Sequence, residues 1–382
     1  MKKIAIIGAG ISGLFVANLF KKNADYEVTI YEKNDSIKLD EGYGIQLSTN
    51  SIQLLNNIGF NTLNNKEKFN PEKIDFYEIK KEKKICDLNI SDFNYENCKY
   101  TTLKRSKLVD FLKYRLDDNL IKFDHNIEKI ESNNEEINLT FKKKSKVVCD
   151  HLIISDGVFS KGKLIISNNK IKPRYNNCIA IRGNISKNHL KNLNEKNISL
   201  FIGPHFHYVI YPVNKAEKFN FIGVLKYKLT TNELKDYGFF NDKTFIEGIK
   251  DKLRNRISTI ILENLKNIKC FPVFVSKDFY KSDNNIFLVG DAFFAFPPSF
   301  AQGASQSIEG ASELYNSIIN NTDNFFNNRV NKVKLINSRS KLNHFVFHLS
   351  NPLIIFFRNI SLKILTKNKK FLKNYLGKIY KN

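Results

Sequence analysis

The chain has no tryptophan, only five cysteines, eight prolines and 17 glycines in 382 residues, and its 38 acidic residues are outnumbered by 61 basic ones. Sparse glycine and proline beside an apolar fraction of 42% exclude collagen-like and intrinsically disordered chains. Cys86, Cys98, Cys149, Cys178 and Cys270 lie far apart, without a CxxC pair or histidines at metal-ligand spacing, so neither a disulfide scaffold nor a metal site is expected. Their odd number leaves at least one thiol unpaired and fits a reducing cytoplasm. No apolar run approaches the roughly 18–20 residues of a spanning helix. The N-terminus opens on a strand pattern at residues 3–7, so no signal peptide is expected either.

The shortage of acids leaves a formal charge of +23. Nucleic-acid binding would use such an excess to neutralise phosphates, but a binding surface concentrates its charge. Here the lysines are spread along the whole chain among asparagines, the pattern that AT-rich coding produces. No nucleic-acid partner is expected, only a field mildly favourable to anionic substrates or anionic lipid.

What is present is concentrated in three segments. Residues 3–7 (KIAII) read as a buried strand, followed by GAGISG at 8–13, a helical pattern at 14–22 and a second strand, EVTIYE, ending at Glu32. That order suits a dinucleotide-binding βαβ unit. Gly8 permits the tight turn, Gly10 lets backbone amides approach a pyrophosphate, and Gly13 lets helix and strand pack closely. The helix N-terminus stabilises the phosphate, and Glu32, 19 residues beyond Gly13, is placed to accept hydrogen bonds from ribose hydroxyls. The second segment, CDHLIISDGVFSKGK at 149–163, is a strand ending in Asp156–Gly157. The third, NNIFLVGDAFFAFPPSFAQGASQSIEGASEL at 284–314, runs from a strand through Gly290–Asp291 and a proline turn into a small-residue helix. Such a turn sets a carboxylate and a positive helix end on one ligand.

Together, in this order and separation, these segments resemble the FAD-dependent aromatic monooxygenases of the para-hydroxybenzoate hydroxylase-like group, closest to the salicylate and hydroxybenzoate hydroxylase branch. EGYGIQLSTNSIQLLNNIGF at 41–60, LKRSKLVDFL at 103–112, AIRG at 180–183, YPV at 211–213 and SRSKLNHFVFHLSNP at 338–352 with Arg358–Asn359 agree with it. The resemblance implies an α/β fold: a Rossmann-like FAD-binding domain, an inserted β-sheet substrate domain and a helical C-terminus. It implies pyrophosphate contacts from Gly8, Gly10 and Gly13, an adenosine-ribose contact from Glu32 and a flavin-side contact from Arg105, with Ser12, Lys33 and Gln46 also among the cofactor-binding residues. It further implies a dual FAD and NAD(P)H contact at Asp156 and a ribityl contact at Gly290–Asp291. Pro298 is implied at the flavin edge, the amides near Gly303 and Ala304 at the pyrimidine ring, and Gln302 among the cofactor-binding residues. The implied reaction is hydroxylation of a phenolic ring with NADH or NADPH and dioxygen through a flavin C4a-hydroperoxide. Three positions depart from the family pattern: Phe294 replaces a histidine, Gly310 an acid and Lys163 an arginine, which lysine matches in charge but not in its planar fork.

The cofactor domain is expected to be discontinuous, from 1–75, 100–170 and 275–345, with the substrate domain from 76–99 and 171–274 and a basic helical tail at 346–382. Strand patterns over 178–228 are expected to cover the flavin. On one of them His205 and His207 share a face, as do Val209 and Tyr211. His205, His207 and Tyr211 are candidate bases or anchors, with Pro298 counted beside them. Phe293, Phe294, Phe296 and Phe300 suggest either an apolar wall near the flavin or ordinary core. An apolar pocket would favour a hydrophobic aromatic or prenylated substrate.

The tail carries Ile360, Ile364, Phe371, Leu372, Tyr375, Leu376 and Ile379 at helical intervals opposite lysines. That pattern suits either an interfacial helix on anionic membrane or a helix packed on the protein's own body. The expected location is the cytoplasm, with peripheral contact at the inner membrane face left open. Alternatives are a ubiquinone-precursor hydroxylase at the membrane surface, a flavin oxidoreductase that does not hydroxylate, and a binding protein without activity. The oligomeric state is left open.

Overall fold

The computed structural model describes residues 1–380 apart from 38, 40–42, 134–135, 143–145, 216–217, 235–237 and 283–284. Glu41 and Gly42 of the loop after the second strand, Asn284 at the head of the third segment, and Lys381 and Asn382 of the tail therefore lie outside the described residues.

Strand β1 (Lys2–Ile7) is buried from Ile4 onward and forms the middle of a five-stranded sheet in the order Ile286–Leu288, His151–Ile154, β1, β2 (Tyr26–Tyr31), Ile121–Lys122. All four pairings are parallel. A parallel sheet covered on both faces needs continuous apolar strands, which KIAII, HLII and IFL supply. Helix α1 (Ile11–Phe20) is buried on nearly every side, because it lies between the sheet and the long helix of the third segment.

A second sheet of seven strands runs in the order Lys266–Val275, Arg174–Ser186, Lys218–Lys226, Phe206–Pro212, Ile198–Gly203, Lys73–Glu78, Lys83–Asn89. Its pairings are antiparallel except between Ile198–Gly203 and Lys73–Glu78. Alternation along Phe206–Pro212 divides the chemistry. Phe206, Tyr208 and Ile210 join an aromatic core on one face, where Tyr77, Phe201, Tyr208 and Phe221 stack successively across four strands at 4.7, 4.4 and 5.4 Å. His207, Val209 and Tyr211 lie on the other face. His205 does not share it: it sits in the preceding turn with φ of 59°, its amide bonded to the His348 carbonyl, so strand alternation does not extend to it.

Helices α2 (Thr49–Asn56), α3 (Gly303–Ile319), α4 (Phe325–Phe347) and α5 (Pro352–Leu365) complete the framework. The tail is not one amphipathic helix. It breaks after Leu365, and Asn368 caps a new turn by accepting from the Phe371 amide at 2.9 Å. Beyond the break Leu372, Leu376, Ile379 and Tyr380 are buried against Phe93, Tyr100 and Phe300, and Phe371 stacks on Tyr375. The Thr49 hydroxyl donates to the Tyr380 carbonyl at 2.7 Å, tying the chain end to α2. This half of the tail packs on the protein's own body, as its apolar side chains demand.

Candidate functional site

The glycine turn between β1 and α1 is shaped by contacts that admit no side chain. Gly8 has φ of 99°, and a methyl there would meet Asp156 Cα and the Ser155 carbonyl at 2.9 Å. At Gly13 it would come within 2.1 Å of the Gly8 carbonyl. Gly10 differs: the protein leaves it room, with nothing nearer than 3.9 Å, and it opens α1 into a cleft of about 480 Å³. Glu32, Lys33, Arg105, Asp156 and Gly157 line that cleft. The Glu32 carboxylate accepts from the Ala9 amide at 2.9 Å and from the Asn34 amide and side chain at 3.0 and 2.8 Å, which fixes its position at the cleft wall.

Gly290 and Asp291 follow the strand Ile286–Leu288 and abut the start of α1. Gly290 has φ of 61° and packs against Ser12, whose hydroxyl would lie 2.6 Å from a methyl there; Ser12 is buried in this packing. Asp291 is exposed at its surface yet surrounded by the bulk of the protein, which raises the pKa of its carboxyl against the opposing pull of Lys163 and Arg105. Asp156 is raised for the same reason, with the Gly162 amide at 3.0 Å working the other way. Lys163 is buried between the two carboxylates: burial lowers its pKa and both acids favour its charge. It thus keeps the cation of the usual arginine without the fork.

The segment Pro298–Phe300 is a single tight turn, followed by Ala301 at φ of 51°, a left-handed conformation that a non-glycine residue holds only under constraint from its surroundings. Gln302 is buried, and Gly303 and Ala304 open α3, where the first amides have no partner within the helix. Asp156 Oδ1 and Gln302 Nε2 are buried without a hydrogen-bond partner. Bare glycines at 10, 157 and 303, orphaned polar atoms and two helix N-termini fit an extended phosphate-bearing cofactor.

Beyond this turn lies a second cavity of about 430 Å³, walled mainly by apolar side chains, among them Ile198, Leu200, Val209, Phe300, Phe347 and Leu362. Polar groups enter it at a few points. The Tyr100 hydroxyl donates to Gln46 Oε1 at 2.7 Å, so Gln46 belongs to this wall. His207 is buried in the wall, with Nδ1 2.7 Å from His348 Nε2. Burial lowers the pKa of His207 to about 3, helped by His344, which is itself lowered to about 4. Tyr211 is not among the cavity-lining residues; it packs behind Gly44, and burial raises its phenol above the ordinary value.

Sequence reasoning did not single out Arg358 as a functional side chain. It is 6% exposed on α5 and lines the cavity; Nε and Nη2 donate to Asn359 Oδ1, whereas Nη1 is buried without a partner. A lone arginine in the apolar run PLIIFF was the available signal. His344 and His348, four apart on one helix face, were another. The four phenylalanines divide. Phe293 and Phe294 are core, Phe294 stacking on Phe279 at 4.4 Å; Phe296 is half-buried, and only Phe300 lines the large cavity. At Gly310 the space of a side chain is taken by Arg329, which lies 3.1 Å from where a methyl would stand and pairs with the buried Glu309 at 3.3 Å.

A family model described as the FAD binding domain matches residues 1–323. The chain is similar to 3-amino-4-hydroxybenzoate 2-monooxygenase PtnB3 of Streptomyces platensis, 24% identical over 226 residues, 58% of this chain and 56% of that protein. It is also similar to the salicylate hydroxylase of Pseudomonas putida, 21% identical over 238 residues, 58% of this chain and 53% of that protein. The chain thus spans about half the length of the curated relatives it matches. The structure of a Klebsiella pneumoniae HpxO variant complexed with FAD shares the fold, with a TM-score of 0.85 over 100% of this chain and 98% of that one at 15% identity.

Proposed function

Since the chain belongs to the FAD binding domain family, we propose that it is an FAD-dependent monooxygenase that hydroxylates a phenolic aromatic compound with NAD(P)H and dioxygen. One observation carries the reading: the turn Pro298–Ala301 walls the apolar cavity and leads within two residues into α3, whose N-terminus fits the cofactor. A ring held in the cavity would thereby lie next to a cofactor seated at that N-terminus. The names of the curated relatives, which act on aminohydroxybenzoate and salicylate, support an aromatic substrate.

Gly10, Glu32 and Lys33 would hold the adenosine and pyrophosphate side, Arg105 the flavin-side linkage, Asp156 a dual FAD and NAD(P)H contact, Asp291 the ribityl chain, and Gln302, Gly303 and Ala304 the flavin end. Ser12 acts through packing on Gly290. FAD, once bound and reduced by NAD(P)H, supplies oxygen activation. The chain's own residues do the rest. Apolar walls exclude water, and Pro298 and Gln46 shape the approach of the ring. His207, kept neutral by burial, accepts a hydrogen bond from the substrate hydroxyl and orients it. Its low pKa makes it an orienting acceptor and not the final holder of the proton. Arg358 offers the unpartnered Nη1 to an acceptor at the far side of the substrate. In this reading 1–75, 100–170 and 275–345 serve the cofactor, 76–99 and 171–274 the substrate, and 346–382 closes the cavity.

The test is reconstitution with FAD, then NAD(P)H and oxygen consumption across phenols and phenolic acids with product analysis. Substrate-stimulated NAD(P)H oxidation with a hydroxylated product is expected. Flavin binding without oxygenated product from any of them would favour a flavin oxidoreductase that does not hydroxylate.

A further inference from the structure

Helix α5 is apolar on two faces at once. Ile354, Phe357, Arg358, Ser361, Leu362 and Leu365, spaced three or four apart, line the cavity. The adjoining stripe, Leu353, Phe356, Ile360 and Ile364, faces outward, and Phe345, likewise exposed, lies on the last turn of α4, just before α5 in the chain. These are large side chains left in water: Leu353 is 72% exposed, Phe345 65%, Phe357 64%, Ile364 61% and Phe356 59%. Scattered exposed apolar residues need no explanation, but a contiguous set of this size marks an interaction surface. Phe357 belongs to both sets, so the cavity reaches the surface at this patch.

Charge identifies the occupant. From residue 324 to 382 the sequence contains no Asp or Glu and 13 Lys or Arg. Lys341, Lys363, Lys369 and Lys370 are exposed around the patch, while Lys367 is paired with Asp87 at 3.1 Å. A second copy of this chain would bring the same cationic surface against it. An anionic lipid surface supplies both the apolar layer that the stripe needs and the counter-charge that the lysines need. At 14 residues α5 is about 21 Å long, and among the described residues no helix is long and apolar enough to cross a membrane, so the fitting geometry is a helix lying in the interface plane.

We propose that the outer face of α5, with Phe345, docks on an anionic lipid bilayer and sets the mouth of the cavity against it. Resting on the hydroxylase reading, the substrate class that follows is an aromatic compound soluble in lipid, entering from the bilayer past Phe357. The docking itself does not depend on that reading.

The absence of tryptophan supplies a direct probe. In the full chain carrying Phe356→Trp, vesicles of phosphatidylcholine with phosphatidylglycerol should shift the emission to the blue, and vesicles of phosphatidylcholine alone should shift it much less. Sedimentation of the wild-type chain with the mixed vesicles should fall at least about tenfold in the combined variant Phe345→Ser, Leu353→Ser, Phe356→Ser, Ile364→Ser. High salt should weaken binding. An emission unchanged by either vesicle, or one already blue without lipid in a chain that light scattering shows to be dimeric, overturns the proposal. Vesicle binding without hydroxylase activity leaves the docking standing and rejects the enzyme reading alone.

Discussion

His207 and His348 meet in the cavity wall, Nδ1 to Nε2 at 2.7 Å, joining a strand of the second sheet to the C-terminal end of α4 across 141 residues. One imidazole donates and the other accepts, and a proton on each ring would set two donors against each other. His344 adds a third ring 4.2 Å from His348 and bonds Ser299, 3.1 Å from Nδ1. Burial lowers the pKa of all three, that of His207 to about 3 and that of His344 to about 4.

That gives a pH dependence of fixed sign. The unfolded chain binds protons at these histidines near pH 6.5, and the folded chain does not until near pH 3–4. Their contribution is fully present above about 6.5 and is lost as pH falls through the window below it, at up to about 1.4 kcal/mol per pH unit for each group. Urea unfolding between pH 7 and 5 should show this slope, and His348→Gln should flatten it. An unchanged slope in that variant would contradict the buried cluster.

The two glycines of the first turn should fail differently. Gly13→Ala forces a methyl to 2.1 Å from the Gly8 carbonyl and should cost the fold, seen as a large drop in melting temperature of the flavin-free chain. Gly10→Ala has room within the protein and should melt like wild type. Its methyl intrudes on the pyrophosphate path, so FAD titration should show affinity weakened by an order of magnitude or more. Equal FAD affinity in Gly10→Ala and wild type would remove the pyrophosphate from this turn.

Arg329 carries an internal ion pair beneath the third segment, with Nη1 3.3 Å from Glu309 and 3.2 Å from Glu313. Arg329→Ala leaves the buried Glu309 with Lys332, Asn50 and the Gln306 side-chain amide but without its arginine, and should lower unfolding free energy by about 3–5 kcal/mol in denaturant titration. A loss below about 1 kcal/mol would mean that the pair is not what fills the space beside Gly310.

Arg358 and His207 should separate binding from turnover. Arg358→Met removes the buried Nη1 donor and should raise KM for phenolic acids by about tenfold to a hundredfold, with little effect on neutral phenols. His207→Gln should mainly lower kcat and increase NAD(P)H oxidation without product. Equal losses for acidic and neutral phenols in Arg358→Met would take the arginine out of substrate recognition.

The cofactor half was legible because its signals are local. Strand, glycines, helix and Glu32 lie within 32 residues; Gly8 and Gly13 answer contacts made inside one turn or with the neighbouring strand, and Gly10 leaves space at the cleft. The substrate half is built from distant partners: His207 with His348, Thr49 with Tyr380. Helical spacing showed that the tail had an apolar face but could not show that Asn368 would break it, sending Leu372 and Ile379 inward and leaving Ile364 outside. The same limit applies to the phenylalanines, since Phe294 and Phe300 differ only in which layer their turn presents them to.

We propose that the cofactor cleft and the apolar cavity serve one oxygenation reaction. The most direct measurement supplies the FAD-loaded protein with NAD(P)H, isotopically heavy dioxygen and a phenol that stimulates NAD(P)H oxidation, and weighs the product. One heavy oxygen atom in the aromatic product is the predicted result. Product oxygen drawn from water, or NAD(P)H consumed with no aromatic product while peroxide accumulates for every phenol tried, would contradict it.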